Sequence, residues 1–173
     1  MHFFFEKKDN IKKEKIEQII LEKYNQYYRL AYSYVHNESD AGDIVQNGAY
    51  KAIRSSHTLQ NVEFAETWVY RIMLNECFRF MNQPKNVSYE WMQEENQPEI
   101  FYTEDHYKNI DLQRALDALN EKDKAIIIMK YFEDKKLEEI AEILEENLST
   151  VKSRLYRSMS KLKGILSEET NSK

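Results

Sequence analysis

Leu137-Glu-Glu-Ile-Ala-Glu-Ile-Leu144, a short polar break, and then Ser149-Thr-Val-Lys-Ser-Arg-Leu-Tyr-Arg157 decide how this chain is read. Leu137, Ile140, Ala141 and Leu144 recur at i, i+3, i+4 and i+7, so the first stretch is a short helix with one apolar face and its acids outward. The second helix is expected to open on Ser149 as N-cap and to bury Val151, Leu155, Met159, Leu162 and Leu166. Its other face presents Thr150, Lys152, Ser153, Arg154, Arg157 and Lys161, with no acid between positions 149 and 166. Two such helices across a tight turn form a helix-turn-helix. The cations suit phosphates, and the forked and hydroxyl donors suit base edges in a major groove. Glu145, Glu146 and Asn147 fill the turn without a glycine, which makes Asn147 the expected left-handed residue. The plainer alternative is a pair of amphipathic helices with a solvated basic face.

Composition narrows the fold. Three Gly and two Pro in 173 residues leave little material for tight turns and predict long helices. The expected class is all-α. Tyrosine is abundant enough to build helical cores, and the single Cys77 excludes an internal disulfide, which fits a reducing cytoplasm. No run reaches the roughly 18 apolar residues of a membrane span. The apolar tract at 3–5 is shorter than the about 7 to 15 residues of a signal-peptide core. A cytoplasmic protein is expected.

The net charge of -5 conceals strong polarity along the chain. Residues 86–111 hold one Lys or Arg against seven Asp or Glu, whereas residues 149–173 hold six against two. A chain so divided holds DNA poorly alone, because affinity from phosphate neutralisation is opposed by its acidic parts. It is expected to act inside a larger complex. The acidic stretch at 83–111 contains both prolines and no sustained helical period, as expected of a linker between two units. The expected organisation is a helical domain over 12–83, a linker over 84–109 and a second helical domain over 110–167. Helices are predicted at 12–35, 40–54, 64–82, 110–119 and 121–132, with Asn120 capping the last of these, followed by the helix-turn-helix.

Asp40-Ala-Gly-Asp-Ile-Val-Gln46 and Phe64-Ala-Glu-Thr-Trp-Val-Tyr-Arg-Ile-Met-Leu-Asn75 mark the first domain. With the helix-turn-helix, they resemble the two domains of the extracytoplasmic-function group of sigma-70 factors, over almost the whole chain. Tyr28-Arg-Leu-Ala-Tyr-Ser-Tyr-Val35 is similar to the start of the first sigma domain. Glu104-Asp-His-Tyr-Lys108, Phe132-Glu-Asp and Val151-Lys-Ser-Arg-Leu-Tyr-Arg157 are similar to the sigma-V branch of Firmicutes.

The resemblance implies core RNA polymerase and promoter DNA as partners. It further implies a membrane-anchored anti-sigma factor that holds the protein at the inner face of the membrane until envelope stress. Asp43, Ile44, Val45 and Gln46 match the helix that docks on polymerase. Against that, an acid early in a helix also complements its dipole, and Gly42 stands where the family often has an acid. Ser55, Ser56, Asn61, Trp68, Arg71, Asn75 and Arg79 match the part that reads and opens the minus-ten element, and the six outward residues of the last helix match the reader of the minus-thirty-five element. Chemistry supports the first set, since amides, guanidinium groups and aromatic faces are what extruded bases and phosphates require. Arg71, Asn75, Phe78 and Asn82 share one helix face. Trp68 is divided between DNA contact and core, since Phe64, Trp68 and Ile72 form an apolar stripe.

His2, His36, His57 and His106 show no metal-ligand spacing to Cys77 or to one another, and no catalytic motif appears. No cofactor, small-molecule substrate or enzymatic activity is expected. A stand-alone helix-turn-helix regulator and a helical adaptor with a basic tail remain as other readings.

Overall fold

The computed structural model describes residues 2–84 and 105–171, and every regular element among them is helical. Helix α1 spans His2–Val35, ten residues longer at its start than the apolar period predicts. Polar pairing supports the extra turns: Lys12 meets Asp9 at 3.7 Å, Asn10 meets Glu14 at 3.4 Å and Lys13 meets Glu17 at 3.9 Å. His36, at φ 51°, reverses the chain. Helix α2, Glu38–Arg54, begins where Asn37 accepts the Asp40 amide at 2.9 Å, and its acids lie at the start and its cations at the end. Two 3-10 turns, Ser56–Thr58 and Val62–Phe64, lead into α3, Ala65–Met81.

These three helices pack around Tyr27, Leu30, Val45, Val69, Tyr70, Met73 and Leu74. A side chain at Gly48 would run into the thioether of Met73, so this glycine sets how closely α2 approaches α3.

Part of the expected linker, 85–104, lies outside the described residues. Helix α4, Asp105–Asp117, starts five residues before the predicted 110. Asn120 caps α5, Glu121–Ile127, by accepting the Asp123 amide at 2.9 Å. The expected single helix to 132 instead widens into a π-turn over Ile128–Phe132, with the Glu133 amide bonded to the Ile128 carbonyl at 3.2 Å. Ile128 and Met129 stay inside while Tyr131 and Phe132 face out.

Helix α6, Leu137–Leu144, and α7, Leu148–Asn171, complete the helix-turn-helix. Its turn corrects two expectations. The left-handed residue is Glu145, at φ 55°, where the Glu145 amide bonds to Glu142 O at 3.3 Å and the Glu146 amide bonds to Ala141 O at 3.1 Å. Asn147 is instead the cap of α7, accepting from the Thr150 amide at 2.9 Å and from the hydroxyls of Ser149 and Thr150. An asparagine oxygen in that place satisfies an orphan amide, a role worth more than its tolerance of left-handed backbone. Met159 also leaves the predicted stripe: it is 38% exposed, and Ser158 is buried in its stead.

Candidate nucleic-acid and polymerase surfaces

The face predicted for α7 separates into a free edge and an occupied one. Lys152, Ser153 and Arg157 are exposed, and Tyr156, 73% exposed, stands among them. The remaining predicted residues bond within the protein. Arg154 meets Asp123 at 2.8 Å and Glu146 at 3.0 Å, Lys161 donates to the Ala118 carbonyl at 2.6 Å, and Thr150 donates to Asn147 at 2.7 Å. Arg154 therefore fastens α7 to α5 and to the turn rather than projecting freely. Tyr156 is absent from the predicted face because that face is drawn from cations and small hydroxyl donors. Its position one turn after Lys152 was the available signal.

Helix α3 is likewise divided. On one edge Arg71 donates to the carbonyls of Glu142, at 2.6 Å, and Ile143, at 3.2 Å, and pairs with Glu145 at 2.8 Å. It thus caps the C-terminal end of α6, where unpaired carbonyls and the helix dipole attract a cation. On the same face Phe78 meets the ring of Tyr34 edge-on at 6.0 Å, and Asn82 donates to Glu121 at 3.0 Å. The face expected to receive promoter bases is, in this arrangement, turned toward the second domain.

Other bonds reinforce this seam. Tyr34 donates to the Glu121 carbonyl at 2.8 Å, Gln26 and Tyr70 hold Glu133 at 2.8 and 3.0 Å, and Lys124 reaches the Ser33 carbonyl. Burial raises the Glu133 carboxyl above the usual range, with the bonds from Gln26 and Tyr70 and the charges of Lys135 and Arg29 offsetting part of the rise.

The other edge of α3 borders an open cleft of about 780 Å³ shared with α2 and the first 3-10 turn. It brings together Ser55, Asn75 and Arg79 from the predicted set and adds Tyr50, Lys51 and Arg54. Tyr50 is exposed, with the Arg54 guanidinium 5.9 Å from its ring centre. Ser56 is buried, and Asn61 is engaged in accepting the Glu63 amide at 2.9 Å. Trp68 is half-buried against the core, while Phe64, 53% exposed, drops out of the apolar stripe proposed with it. Outside the cleft, Cys77 is buried, which pushes its thiol up to about 12.

On α2, Asp43 and Gln46 are exposed, whereas Ile44 and Val45 lie in the core. The last two are corrected from surface to packing residues: consecutive helical positions cannot all share one face.

Two family profiles map onto these units. Sigma-70 region 2 matches residues 19–85 and Sigma-70, region 4 matches residues 109–162. RNA polymerase sigma factor SigV of Bacillus subtilis strain 168 is 43% identical over 145 residues, which cover 83% of this chain and 86% of that protein. The chain belongs to the sigma-70 family. It is an alternative sigma factor of the extracytoplasmic-function group, resembling SigV, and so a transcription initiation factor that joins core RNA polymerase, directs it to promoters and helps to open the DNA.

The sigma factor's fold is similar to that of CnrH, solved in complex with the cytosolic domain of CnrY, with a TM-score of 0.67 and 18% identity over 88% of each chain. It is also similar to RpoE of Bartonella quintana, solved with the anti-sigma factor NepR, with a TM-score of 0.63 and 19% identity over 87% of this chain and 96% of that one. No described helix of the sigma factor is long and apolar enough to cross a membrane.

Proposed function

We propose that this sigma factor reads promoters through two surfaces that are separated when it works: the α2–α3 cleft at the minus-ten element and the free edge of α7 at the minus-thirty-five element. The observation that carries the reading is the cleft itself, in which a flat tyrosine, amides and guanidinium groups converge beside the helix that matches the family's melting segment. Such a mixture suits unpaired bases and their phosphates. On α7, Lys152, Ser153, Arg157 and Tyr156 have the exposure that groove reading demands.

The seam has to open for both surfaces to work together. Elements named for positions ten and thirty-five are about 25 base pairs apart, or about 85 Å along a duplex at 3.4 Å per step. A compact chain of this length has a radius of gyration of only about 16 Å. Arg71 and Asn82 would then become available to the melted strand. The chain between 84 and the start of α4 serves as the tether between a first domain that ends near 83 and a second that α4 opens. Asp43 and Gln46, exposed on α2, supply the polar part of the polymerase contact.

The anti-sigma partner of the Bartonella protein supports an anti-sigma partner for this chain, and the resemblance to the sigma-V branch is what supports a role in envelope stress with that partner membrane-anchored, holding the chain at the cytoplasmic face. RNA synthesis is left to the polymerase.

The test uses polymerase reconstituted with Asn75→Ala. It should bind duplex promoter yet open it poorly, as read by permanganate reactivity of promoter thymines, and a premelted minus-ten region should restore transcription because the unstacking cost of a few kcal/mol per base is already removed. Normal opening of duplex DNA by this variant would remove the cleft from the reading.

A further inference from the structure

Glu76 is the most buried carboxylate among the described residues, 3% exposed, yet it lies at the floor of an open cleft beside Asn75. It has partners on two helices. Lys51 of α2 binds one carboxylate oxygen, and Arg79 of α3 binds the other through Nε at 3.0 Å and Nη2 at 2.8 Å. Both cationic side chains remain about half exposed, at 48% and 46%, so their outer faces are open to the cleft. Burial by itself raises the Glu76 carboxyl, but the bonds and charges of Lys51 and Arg79 outweigh it and hold the group below the usual carboxylate range. It stays ionised at neutral pH.

A core-facing carboxylate is an expensive way to join two helices, because its desolvation offsets much of the attraction. What it achieves here is geometric. Lysine and arginine side chains on a surface sample many rotamers and lose that freedom when they bind, whereas side chains already held lose less. Among the described residues Glu76 is also the only acid lining the cleft, so the trio of charges retains a net positive sign, with Arg54 nearby adding to it.

We infer that Glu76 is a positioning residue: it fixes Lys51 and Arg79 as a two-cation clamp for a backbone phosphate of the single strand entering the α2–α3 cleft. The inference rests on the proposed use of that cleft. The exposed ring of Tyr50, beside the clamp, provides a face on which a base adjoining the held phosphate can stack.

Net charge and positioning give opposite signs for one substitution, which makes the inference testable. Removing a negative charge from a surface facing DNA strengthens binding if only the overall field matters. If Glu76 positions the cations, its loss weakens binding.

The experiment measures the affinity of reconstituted polymerase for a promoter with a premelted minus-ten region across a salt series, for the wild type, Glu76→Gln, Glu76→Asp and the double variant Lys51→Gln/Arg79→Gln. Glu76→Gln is expected to lose about tenfold in affinity, the scale of one charge-assisted hydrogen bond. The slope of log affinity against log salt should fall toward that of the double variant, which loses up to about 1.4 on single-stranded contacts. Glu76→Asp, which keeps the charge, should recover part of the affinity.

Equal or tighter binding by Glu76→Gln, with a reduced slope in the double variant, would overturn the positioning role and leave the cleft assignment standing. An unchanged slope in the double variant would reject the cleft as the strand's path and the clamp with it. Should Glu76→Gln not fold, Glu76→Met fills the same buried volume without charge and makes the same comparison.

Discussion

Helices α3 and α7 carry the residues proposed to meet DNA, yet the fold presents them differently. The outer edge of α7 stands free, with Lys152, Ser153, Tyr156 and Arg157 toward solvent and its binding geometry set by the helix alone. By contrast, α3 has no free edge of that kind. Arg71 and Asn82 meet the second domain, Phe78 packs on the ring of Tyr34 from α1, and Arg79 is bound to a buried carboxylate beside Asn75 in the cleft. A helix that enters a duplex groove needs only exposure and the right side chains, because the duplex is already ordered. A surface that holds an unpaired strand must order a flexible partner, and groups fixed in advance reduce that cost. The two sites differ as their substrates do.

The largest effect should come from breaking the seam that covers α3. Tyr34→Ala removes a buried ring that bonds to the Glu121 carbonyl and packs against Phe78 and Lys124. It is expected to cost about 3 to 5 kcal/mol of stability, as for other buried aromatics. Thermal or denaturant unfolding measures the loss, and fluorescence transfer between labels on α2 and α7 should report wider separation of the domains. A variant that loses stability while keeping the labels close would show that the seam does not depend on this ring.

Within α7, the free and occupied edges should respond differently. Arg157→Ala is expected to weaken recognition of the upstream promoter element by about 1 to 3 kcal/mol, the range of a bidentate base contact, with stability unchanged. Arg154→Ala is expected to act mainly on stability, by about 1 to 2 kcal/mol, because it removes one partner from each of the carboxylates of Asp123 and Glu146, which then keep Asn120 and Lys122. Promoter-binding and melting curves on both variants make the comparison. If Arg154→Ala impairs recognition at full stability, the division of this face into two edges is wrong.

Arg71→Ala tests whether the covered edge of α3 is held by its cap on α6. About 1 to 2 kcal/mol of domain docking should be lost, since the guanidinium satisfies two helix-terminal carbonyls and pairs with Glu145. The same labels should separate, while transcription falls because the arginine is also proposed to meet the melted strand. Closed domains in this variant would assign the seam to the bonds of Tyr34, Glu133 and Lys124.

The smallest effect is one of pH. Burial in the seam raises the Glu133 carboxyl above its unfolded value, so packing favours its protonated form. Its contribution is complete below the ordinary carboxylate range and is lost as pH rises through the elevated value. The domains should therefore close more firmly as pH falls toward that range from neutrality, and Glu133→Gln should flatten the response. Glu76, shifted the other way, contributes above its ordinary range and loses that contribution in stronger acid, which separates the two groups along the pH axis. An undiminished pH response in Glu133→Gln would assign it to another group.

The helical class, the two helix-turn-helix elements and the Asn120 cap were legible in the sequence because each depends on local spacing or on a residue bonding to its own turn. Local spacing also suggested the face shared by Arg71, Asn75 and Asn82. It could not say that a second domain would cover two of the three. The buried pair Ile44 and Val45 followed from the same kind of limit: a motif names a stretch of helix, and only packing tells which side is in. Glu76 was invisible for a related reason, since an acid on a helix reads as solvated until another helix brings Lys51 against it.

By itself the sequence determined the helical segments, the Asn120 cap and the cations on the last helix, for these arise from interactions within a few residues. Only the tertiary structure decided which cations are free. Arg71 and Arg154 are bound by carbonyls and carboxylates from elsewhere in the chain, Arg79 by a carboxylate that packing buries, and Arg157 by nothing among the described residues. A charged side chain carries the same charge wherever it stands, but whether that charge is available to DNA depends on neighbours that come from distant parts of the chain.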